Sequence, residues 1–389
     1  MSDADRVNMA IIEEATFGTT PATNMDRLRF TSENLSMETE TVQSAEISND
    51  RQVKGVIRTN IRGAGDINVE LSYDVIDAFL QAALFSAGWS AENAVAPGGN
   101  TVITTDTFHS TAGTPFSVYA VGQWVATQGH VNAANNGIFK IEAINGGGND
   151  LVVSGGTLVN ESAVAATFRQ AAQVVNGTTL NSYSIEREYA DISNEFEIFR
   201  GMSVDQLTIN MAVNSIITAA ISFVGKDSIS ATATAGGGYN AAPTKDVMNT
   251  IDHIDKIIEG DGSNSEADAT AISMQIANNL RGRTLVGTLG AASIGQGKLA
   301  PTGTLQKYFA SKTLMDKYLN QTATALAVVL QVNGTETYVF EFPAIKFTSG
   351  QRVAGGENTD IIADMNWIAY KHTTEAITMR ISKWADATP

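Results

Sequence analysis

Residues 326–342, LAVVLQVNGTETYVFEF, are the most informative stretch of the sequence, because they predict two strands joined by a tight turn. The dipeptide Asn333-Gly334 lies between two apolar runs. Both central residues of a type I′ hairpin turn need positive φ, which Asn and Gly tolerate. On the second strand Tyr338, Phe340 and Phe342 fall on one side, since side chains alternate along a strand. We therefore expect a hairpin with one buried face.

A second block of the sequence has the same pattern of extended segments. The strand-like segments of the two blocks are 182–189, 195–199, 206–213 and 216–224, and then 326–332, 335–342, 360–370 and 375–384. Placing residues 196–199 over 339–342 brings the downstream patterns into step. Internal repetition of this kind decides the architecture, so we interpret the chain as two copies of one β unit.

A helix is predicted before each block. In residues 73–85 apolar side chains recur at the 3.6-residue spacing of a helix, and Ser72 is placed to cap its first turn. Residues 305–319 have a similar apolar side, with Thr304 as the cap. The alternative to a repeated unit is a single large β domain whose two helices happen to be spaced alike.

The fold class we expect is mainly β, with two tandem β-sandwich or barrel-forming repeats, each with a flanking α-helix, and a small inserted all-β domain. Residues 92–170 change character, with short strands between Asn-Gly and Gly-rich turns, and are interpreted as the insert. The first repeat then comprises 1–91 and 171–230, a linker rich in Ala, Thr and Gly spans 231–244, and the second repeat is 245–389.

Composition excludes several classes of protein. The 389 residues carry 25 Lys and Arg against 41 Asp and Glu, a formal net charge of −16, which is unfavourable for binding nucleic acid or anionic membranes. There is no cysteine, so disulfides, thiolate metal sites and cysteine nucleophiles are excluded. The acidic start lacks the features of a secretory signal, and the most apolar stretch, 211–225, is too short and polar to span a bilayer. We expect a soluble protein.

Candidate chemical sites are weak. The histidines are isolated in sequence: His109, His130, His253 and His372. Residues 261–268 place oxygen ligands at alternate positions, but the glycine and the bidentate acid of a calcium loop are missing. The pairs Glu186 with Glu188 and Glu195 with Glu197 share a strand face, as a glycosidase pair would, although a solvated or lumen-facing row is the preferred explanation in an acidic protein with many exposed strands. We expect no enzyme activity, no cofactor and no metal.

Several stretches, taken together in order, resemble bacteriophage tail tube proteins, the major tail proteins of long-tailed phages. They are residues 14–21 (EATFGTTP), 44–53 (SAEISNDRQV), 65–74 (GDINVELSYD), 183–227 and 347–384. The likeness covers most of the chain except 92–170, which is similar to small β modules of phage tail proteins. No single motif is diagnostic; the ordered set carries the resemblance.

The resemblance implies two packed sheets with a flanking helix in each unit. It implies subunits that close into rings by pairing strands across their edges, and rings that stack into a hollow tube for genome passage. Six such folds per ring are usual, so a chain with two copies predicts a homotrimeric, pseudo-hexameric ring, with a homohexamer as the alternative. The protein would be made in the host bacterial cytoplasm and reside in the virion tail. Expected partners are further copies, the tape-measure, tail terminator and distal tail proteins; DNA passes without specific binding, and no membrane is involved.

Two sets of candidate site residues follow from this resemblance. Carboxylates on the wall strands would keep the lumen negative so that DNA slides, and the candidates are Glu38, Glu40, Glu70, Glu195, Glu197 and Glu341. The alternative is that the charge only aids solubility. Asp50, Arg51 and Lys54, between two strands, are candidates for ion pairs with the neighbouring ring; the alternative is a solvated turn.

A different class of function is a carbohydrate-binding or glycan-cleaving β-rich surface protein, motivated by the acidic pairs and the β-rich insert. Such proteins usually present exposed aromatic platforms, whereas aromatic residues here are 7% of the chain and mostly occupy alternating, core-like positions. A capsid or adhesin module is a more remote option. Tubes or stacked rings in electron microscopy would favour the structural function, and monomers with glycan affinity would favour the alternative.

Overall fold

The computed structural model describes residues 3–97, 99–260, 268–332, 336–353 and 356–385. These residues are mainly β, which confirms the expected fold class.

The described residues form the following elements. Before the insert lie β1 (Val7–Glu13), β2 (Met25–Leu28), β3 (Ser32–Glu33), β4 (Ser36–Gln43), β5 (Val56–Glu70) and α1 (Asp77–Ala83). The insert contains β6 (Asn93–Val95), β7 (Thr101–Thr104), β8 (Thr107–Ser110), β9 (Trp124–Gln128), β10 (Gly137–Asn145), β11 (Asp150–Ser154), β12 (Glu161–Val164) and β13 (Thr167–Gln170). After it come β14 (Ala172–Val175), β15 (Tyr183–Tyr189), β16 (Phe196–Ala212), β17 (Thr218–Val224), β18 (Asp227–Ala231) and β19 (Tyr239–Asn240).

The C-terminal part continues with β20 (Ile254–Glu259), β21 (Ala269–Ala277), β22 (Arg281–Arg283), β23 (Ser293–Gly295), β24 (Ala300–Tyr308), α2 (Thr313–Leu319), β25 (Thr324–Val332), β26 (Glu336–Arg352), β27 (Ile362–Ala369) and β28 (Arg380–Trp384). Short 3-10 turns occupy Ala4–Arg6, Pro115–Val118 and Ala133–Asn135.

One pattern of strand pairing occurs twice. In the first copy β1 pairs with β15, β15 with β16, β16 with β17 and β18, β17 with β5, and β5 with β4. In the second copy β20 pairs with β25, β25 with β26, β26 with β27 and β28, β27 with β24, and β24 with β21. All of these pairs are antiparallel. Each long central strand, β16 or β26, also packs against the helix of its own copy.

Irregularities in the ladders fix how the two copies correspond. A β-bulge follows Val204 in β16 and Phe347 in β26, each on the edge shared with the next strand, β17 or β27. Bulges are specific features of a strand, so matching them aligns the copies residue by residue. The match places residues 196–199 over 339–342, the same alignment that the sequence pattern suggested.

The two copies join edge to edge within the chain. Residues 206–212 of β16 pair with residues 271–277 of β21, on the edge of β16 opposite to β17. The result is one continuous layer in the order β4, β5, β17, β16, β21, β24, β27, β26, which we call the eight-strand layer. The main hydrophobic core lies between this layer and the outer strands and helices.

The two antiparallel strands predicted on either side of residue 333 are observed, and their buried face is confirmed. β25 and β26 pair in register from Val332 and Glu336 onward, while the predicted turn residues 333–334 lie outside the described residues. Tyr338, Phe340 and Phe342 are all fully buried. These aromatic side chains belong to the main core, so the hairpin is a central element of the second repeat.

The helix boundaries predicted from the sequence are wrong. α1 begins at Asp77 rather than at residue 73, because Asp74 has positive φ, and Ser72 forms a bridge with Val247 instead of capping the helix. α2 begins at Thr313, while residues 305–308 belong to β24. A short apolar segment fits either period, and the pairing of β24 with β21 and β27 on its two edges decides for a strand.

The insert has its own sheet and core but packs on the second repeat. Its strands pair in the order β12, β7, β8, β11, β10, β9, β13, β6 around a phenylalanine-rich core. Trp124 and Ile138 of the insert pack against Val329, Val339 and Trp384 on the outer face of the second repeat. An insert that interrupts the first repeat in sequence therefore covers the second one in space.

The segments around the insert and linker cross between the repeats. β14, which the sequence pattern assigns to the first repeat, pairs with β28 of the second. The 231–244 segment is packed, since its strand β19 runs parallel to β2 and the guanidinium of Arg27 lies 3.5 Å from the centre of the Tyr239 ring. The exact domain limits stay a prediction.

Candidate functional site

The eight-strand layer has two unlike faces. In the second half of β16 and in most of β21, buried apolar residues alternate with half-buried or exposed residues that are mostly polar. Because paired residues of an antiparallel sheet lie on the same side, the polar residues form one continuous surface, which we call the polar face. Its uncharged members include Ser36, Asn68, Gln206, Thr208, Asn210, Thr218, Ser222, Ser273, Gln275, Thr302, Thr304, Gln306, Ser349, Gln351 and Asn366.

Acidic residues outnumber basic ones on the polar face. In the regular part of the ladder its carboxylates are Glu38, Glu40, Asp66, Glu70 and Asp364, and its cations are Arg62 and Lys346. The guanidinium of Arg62 pairs with the Glu38 carboxylate at 2.5 Å, and both side chains are about half exposed. The excess negative charge is concentrated on β4 and β5.

The structure divides the predicted lumen residues into two groups. Glu38, Glu40 and Glu70 lie on the polar face. Glu195 and Glu197 lie on or next to the other half of β16, which pairs with β15 and β18, and Glu197 contacts Arg187 at 2.7 Å.

The prediction for Glu341 is wrong, because its side chain is buried. Its carboxylate lies 2.9 Å from both the Arg380 guanidinium and the Lys140 amine, and Glu375 also contacts Arg380 at 2.9 Å. Burial acts to lower the pKa of Lys140, but the adjacent Glu341 carboxylate outweighs it and raises that pKa. This cluster fastens the insert to the second repeat.

Sequence reasoning missed Asp66 and Asp364 on the polar face. Asp66 pairs across β5 and β17 with Ser222, and Asp364 pairs across β27 and β26 with Gln351. The available signal was strict alternation with buried Ile67 and Met365. Alternation alone does not tell which of two solvent-facing surfaces a strand contributes to.

Among the described residues, no strand covers either end of the eight-strand layer, so both ends are open edges. At one end, β4 pairs with β5 and all eight of its residues are exposed. At the other end, β26 pairs with β25 as far as Ile345, and beyond it residues 346–352 have a described strand partner, β27, on the opposite edge only. Unpaired edges are ready to accept a strand from another chain.

The far end of the β4–β5 hairpin extends away from the core, and we call residues 41–58 the arm. The candidates Asp50, Arg51 and Lys54 lie at its tip and are exposed; Asp50 and Lys54 pair with each other at 3.6 Å. The Ser48 hydroxyl is the main cause that lowers the pKa of Asp50, with the Gln52 amide adding to it. Arg51 has positive φ and an exposed side chain.

Apolar side chains are unusually exposed on the arm. Ile47 is 98% exposed, and the other large apolar residues of this kind are Val42, Val53, Val56 and Ile57. A cluster of exposed apolar residues on one projecting hairpin is typical of a protein contact surface.

The described residues offer little for catalysis or membrane insertion. Among them no group of three or more His, Asp or Glu side chains is arranged to hold a metal ion, and no helix is long and apolar enough to cross a membrane. Most of the calcium-like segment, residues 261–267, lies outside the described residues. The Glu186 carboxylate is buried and accepts a hydrogen bond from the Ala235 amide at 2.7 Å, so it serves the linker.

Comparison with known proteins agrees with this arrangement. A family described as phage tail tube protein matches residues 4–369, nearly the whole chain. No curated protein matches the chain. The chain belongs to the phage tail tube protein family; it is a structural tail tube subunit rather than an enzyme. The family assembles with itself and other tail proteins in the virion tail, and it does not favour the carbohydrate-binding alternative.

Proposed function

We propose that three copies of this chain close into a pseudo-hexameric ring and that stacked rings form a conduit for the phage genome. The observation that carries the proposal is the internal junction, where β16 of one repeat pairs with β21 of the next. A chain that already joins two folds edge to edge needs only three copies to complete six. Head-to-tail contacts of this kind close when their rotation completes a circle.

The dimensions suit duplex DNA. Three eight-strand layers give about 24 wall strands; at about 4.8 Å spacing and a tilt of about 40° they enclose a circumference of roughly 150 Å. The backbone diameter is then about 48 Å, and roughly 5 Å of side chain on each side leaves a bore of about 38 Å. A duplex about 20 Å wide passes through with water around it.

The polar face supports the role of an inner wall. It is the uncovered side of the eight-strand layer, whereas the opposite side packs into the core and carries the outer strands and the insert. An insert on the outer face of the second repeat leaves the passage open. Hydroxyl and amide side chains with an excess of carboxylates give DNA few cationic sites to bind, so the polymer slides.

Charge reversal on the wall tests this role. We expect tubes of the triple variant Glu40→Lys, Glu70→Lys and Asp364→Lys to retain short duplex DNA in a salt-dependent manner, measured by co-sedimentation. The matched control compares the single variants Glu40→Lys and Glu195→Lys, which each reverse one charge, on the polar face and away from it. Equal retention by the two single variants, or none by the triple variant, would contradict an acidic inner wall.

The arm is proposed to contact the neighbouring ring. Its exposed apolar residues supply contact area, and Asp50, Arg51 and Lys54 supply charge at the tip. We expect Arg51→Glu to leave single rings intact and to shorten the tubes seen by electron microscopy, whereas Lys371→Glu, in an exposed loop of the second repeat, leaves tube length unchanged. Normal tubes from Arg51→Glu would argue against this role.

Electron microscopy and mass measurement test the ring itself. Tubes or rings whose layers contain three chains of 41.2 kDa with approximate sixfold symmetry are expected. Six identical chains per layer would overturn the trimer, and monodisperse monomers under all assembly conditions would overturn the tube. The expected tape-measure, terminator and distal tail partners would bind the ends or lumen of such a tube.

A further inference from the structure

We propose that the ring closes by repeating the internal junction in a defined register, so that the end of β26 pairs with the β3–β4 edge of a second copy and Gln351 lies opposite Ser36. The inference rests on the proposed ring and goes beyond it by naming the residues that meet.

The internal junction supplies the template. Within it Thr208 of β16 lies opposite Gln275 of β21, and Ile209 opposite Met274. The ladder extends beyond the regular strands at both ends, through backbone hydrogen bonds from Asn278 N–H to Asp205 O at 2.8 Å and from Val213 N–H to Thr270 O at 3.0 Å. The junction is therefore a full strand pairing and not a local contact.

The β26 side of the register follows from the bulges. Val204 and Phe347 are equivalent because a bulge follows each at the same pairing step. Counting onward from them makes Gln351 the equivalent of Thr208 and Arg352 the equivalent of Ile209.

The β4 side follows from two glycines that occupy the same place in each copy. Gly65 of β5 lies opposite Phe223, and Gly303 of β24 lies opposite Trp367. Across the next strand, Gly303 pairs with Met274, and the β4–β5 register places Leu35 opposite Gly65. Leu35 is therefore the equivalent of Met274, and by the same count Ser36 is the equivalent of Gln275.

The backbone groups at this edge are directed toward an absent strand. Antiparallel residues present their N–H and C=O groups alternately to the two sides, and the backbone bonds of Thr270 and Asn278 show that Met274 presents its groups to β16. The equivalent residue, Leu35, presents its groups to the open edge. In this chain its N–H donates to the Glu33 carboxylate at 2.9 Å and its C=O accepts from the Arg187 guanidinium at 2.7 Å.

The side chains of Glu33 and Arg187 thus occupy the backbone hydrogen-bonding groups of the open edge at Leu35. Charged side chains that occupy an open edge are a common means of preventing uncontrolled strand addition. In the closed ring the backbone of Arg352 from a second copy takes the place of these two side chains on Leu35. The edge of β26 is correspondingly less apolar, with Gly350 and Arg352 where the internal junction has buried Leu207 and Ile209. This composition suits a surface that is solvated before assembly.

Disulfide cross-linking tests the register, because the natural chain has no cysteine. Residues 36 and 351 would form a non-hydrogen-bonded pair with Cα atoms about 4.5 Å apart, within the range that a disulfide needs. We expect oxidised tubes of Ser36→Cys/Gln351→Cys to yield covalent dimers and trimers, ending at a closed trimer, in non-reducing gels.

Two further cysteine pairs serve as controls, one expected to cross-link within a chain and one expected not to cross-link. Thr208→Cys/Gln275→Cys, at the internal junction, should form its disulfide within one chain and give no covalent oligomer. Glu40→Cys/Gln351→Cys moves one partner four residues along the same face, about 13 Å, and should not cross-link. Tubes that form normally but link through 40–351, or through neither pair, would overturn the register while leaving the proposed function intact.

Other outcomes separate the two proposals. If no rings or tubes form under any condition, the proposed function fails. If the 36–351 link forms but the ladder extends to six chains, the strand register holds and the three-chain ring fails. The blocking of the edge by Glu33 is tested separately. We expect the 36–351 disulfide to form severalfold faster when Glu33→Ala is added to Ser36→Cys/Gln351→Cys than in the double-cysteine variant alone. An equal or slower rate would overturn the proposed role of Glu33.

Discussion

The outer faces of the two repeats differ although their strands pair identically. Under the insert, the second repeat presents Ala327 and Val329, both buried. The equivalent positions of the first repeat, counted from the matched β15–β16 and β25–β26 pairings, are Glu186 and Glu188. The repeated scaffold therefore accepts opposite residue types at the same positions.

The covering segment explains this difference. In the first repeat the linker brings the Ala235 N–H and the Tyr239 hydroxyl to Glu186, and β2 brings Arg27 to Glu188. In the second repeat the insert offers apolar side chains such as Trp124 and Ile138. A buried carboxylate needs donors and a buried valine needs apolar neighbours, so each outer face matches what lies over it.

Exchanging these residues should give the largest effect. Val329→Glu would bury a carboxylate against the insert, where the amine of the paired residue Lys256 already donates to the Ile138 and Gly155 carbonyls. We expect a loss of about 3–5 kcal/mol in the free energy of unfolding. The reverse change, Glu188→Val, leaves a partly exposed Arg27 unpaired and should cost only about 1 kcal/mol. Denaturant unfolding of both variants measures the asymmetry, and similar losses would show that the covering segments do not decide these positions.

The buried charges beside the insert give a second test, because here the second repeat has charged residues where the first repeat has apolar ones. Glu341 and Arg380 face each other across β26 and β28, where the first repeat has Ile198 facing Ile229. We expect Glu341→Ile or Arg380→Ile alone to cost about 3–5 kcal/mol, because each leaves one uncompensated charge in a buried cluster of two carboxylates and two cations.

The double variant should cost less than the sum of the two single variants by about 1–3 kcal/mol. Lys140 and Glu375 remain as a pair when both changes are made, since their side chains lie 3.6 Å apart. A double-mutant cycle by denaturant unfolding checks this coupling. If the two losses are additive, Glu341 and Arg380 do not stabilise each other. An isoleucine pair, as in the first repeat, would then not be able to replace them at a lower cost than the two single changes.

The equivalent glycines should behave alike despite different surroundings. A Cβ on Gly303 would lie 2.3 Å from the Trp367 ring, and one on Gly65, which has φ +137°, would lie 2.7 Å from the Asn34 carbonyl oxygen. We expect Gly303→Ala and Gly65→Ala each to cost about 1–3 kcal/mol in unfolding free energy. Gly55→Ala, with nothing within 4 Å of the added atom, is the control. An unchanged unfolding free energy for either alanine variant would contradict the structural equivalence of Gly65 and Gly303.

The smallest effect should appear at high pH and in the first repeat. Burial, with the hydrogen bond to Glu186, raises the pKa of Tyr239 from 10.0 to about 12. The contribution of this phenol to stability is therefore complete below pH 10 and is lost as pH rises toward 12. We expect the unfolding free energy of Tyr239→Phe to fall less steeply than that of the natural protein over this interval. Parallel pH profiles would show that the contact does not stabilise the linker.

Much of the repeat could be predicted from the sequence, including the presence of its two helices, but the boundaries of those helices could not. The alternation of Tyr338, Phe340 and Phe342 predicted a strand with a buried face, because period-two patterns need no knowledge of the neighbours. The segment from Leu305 to Tyr308 was misassigned to a helix, because its few apolar residues satisfy both periods and only two flanking strands decide between them. Glu341 was misplaced for a related reason: its partners come from the insert and from β28.

The sequence by itself determined the β class, the doubling of the unit, the absence of cysteine chemistry and the alternation that gives each strand two faces. These properties are local, or follow from composition, so the order of residues suffices to establish them. The tertiary structure decided which face is open, which carboxylates share it, where the insert lies and which edges are unpaired. Each of these depends on contacts between segments far apart in the chain, and such contacts form only when the strands are laid side by side.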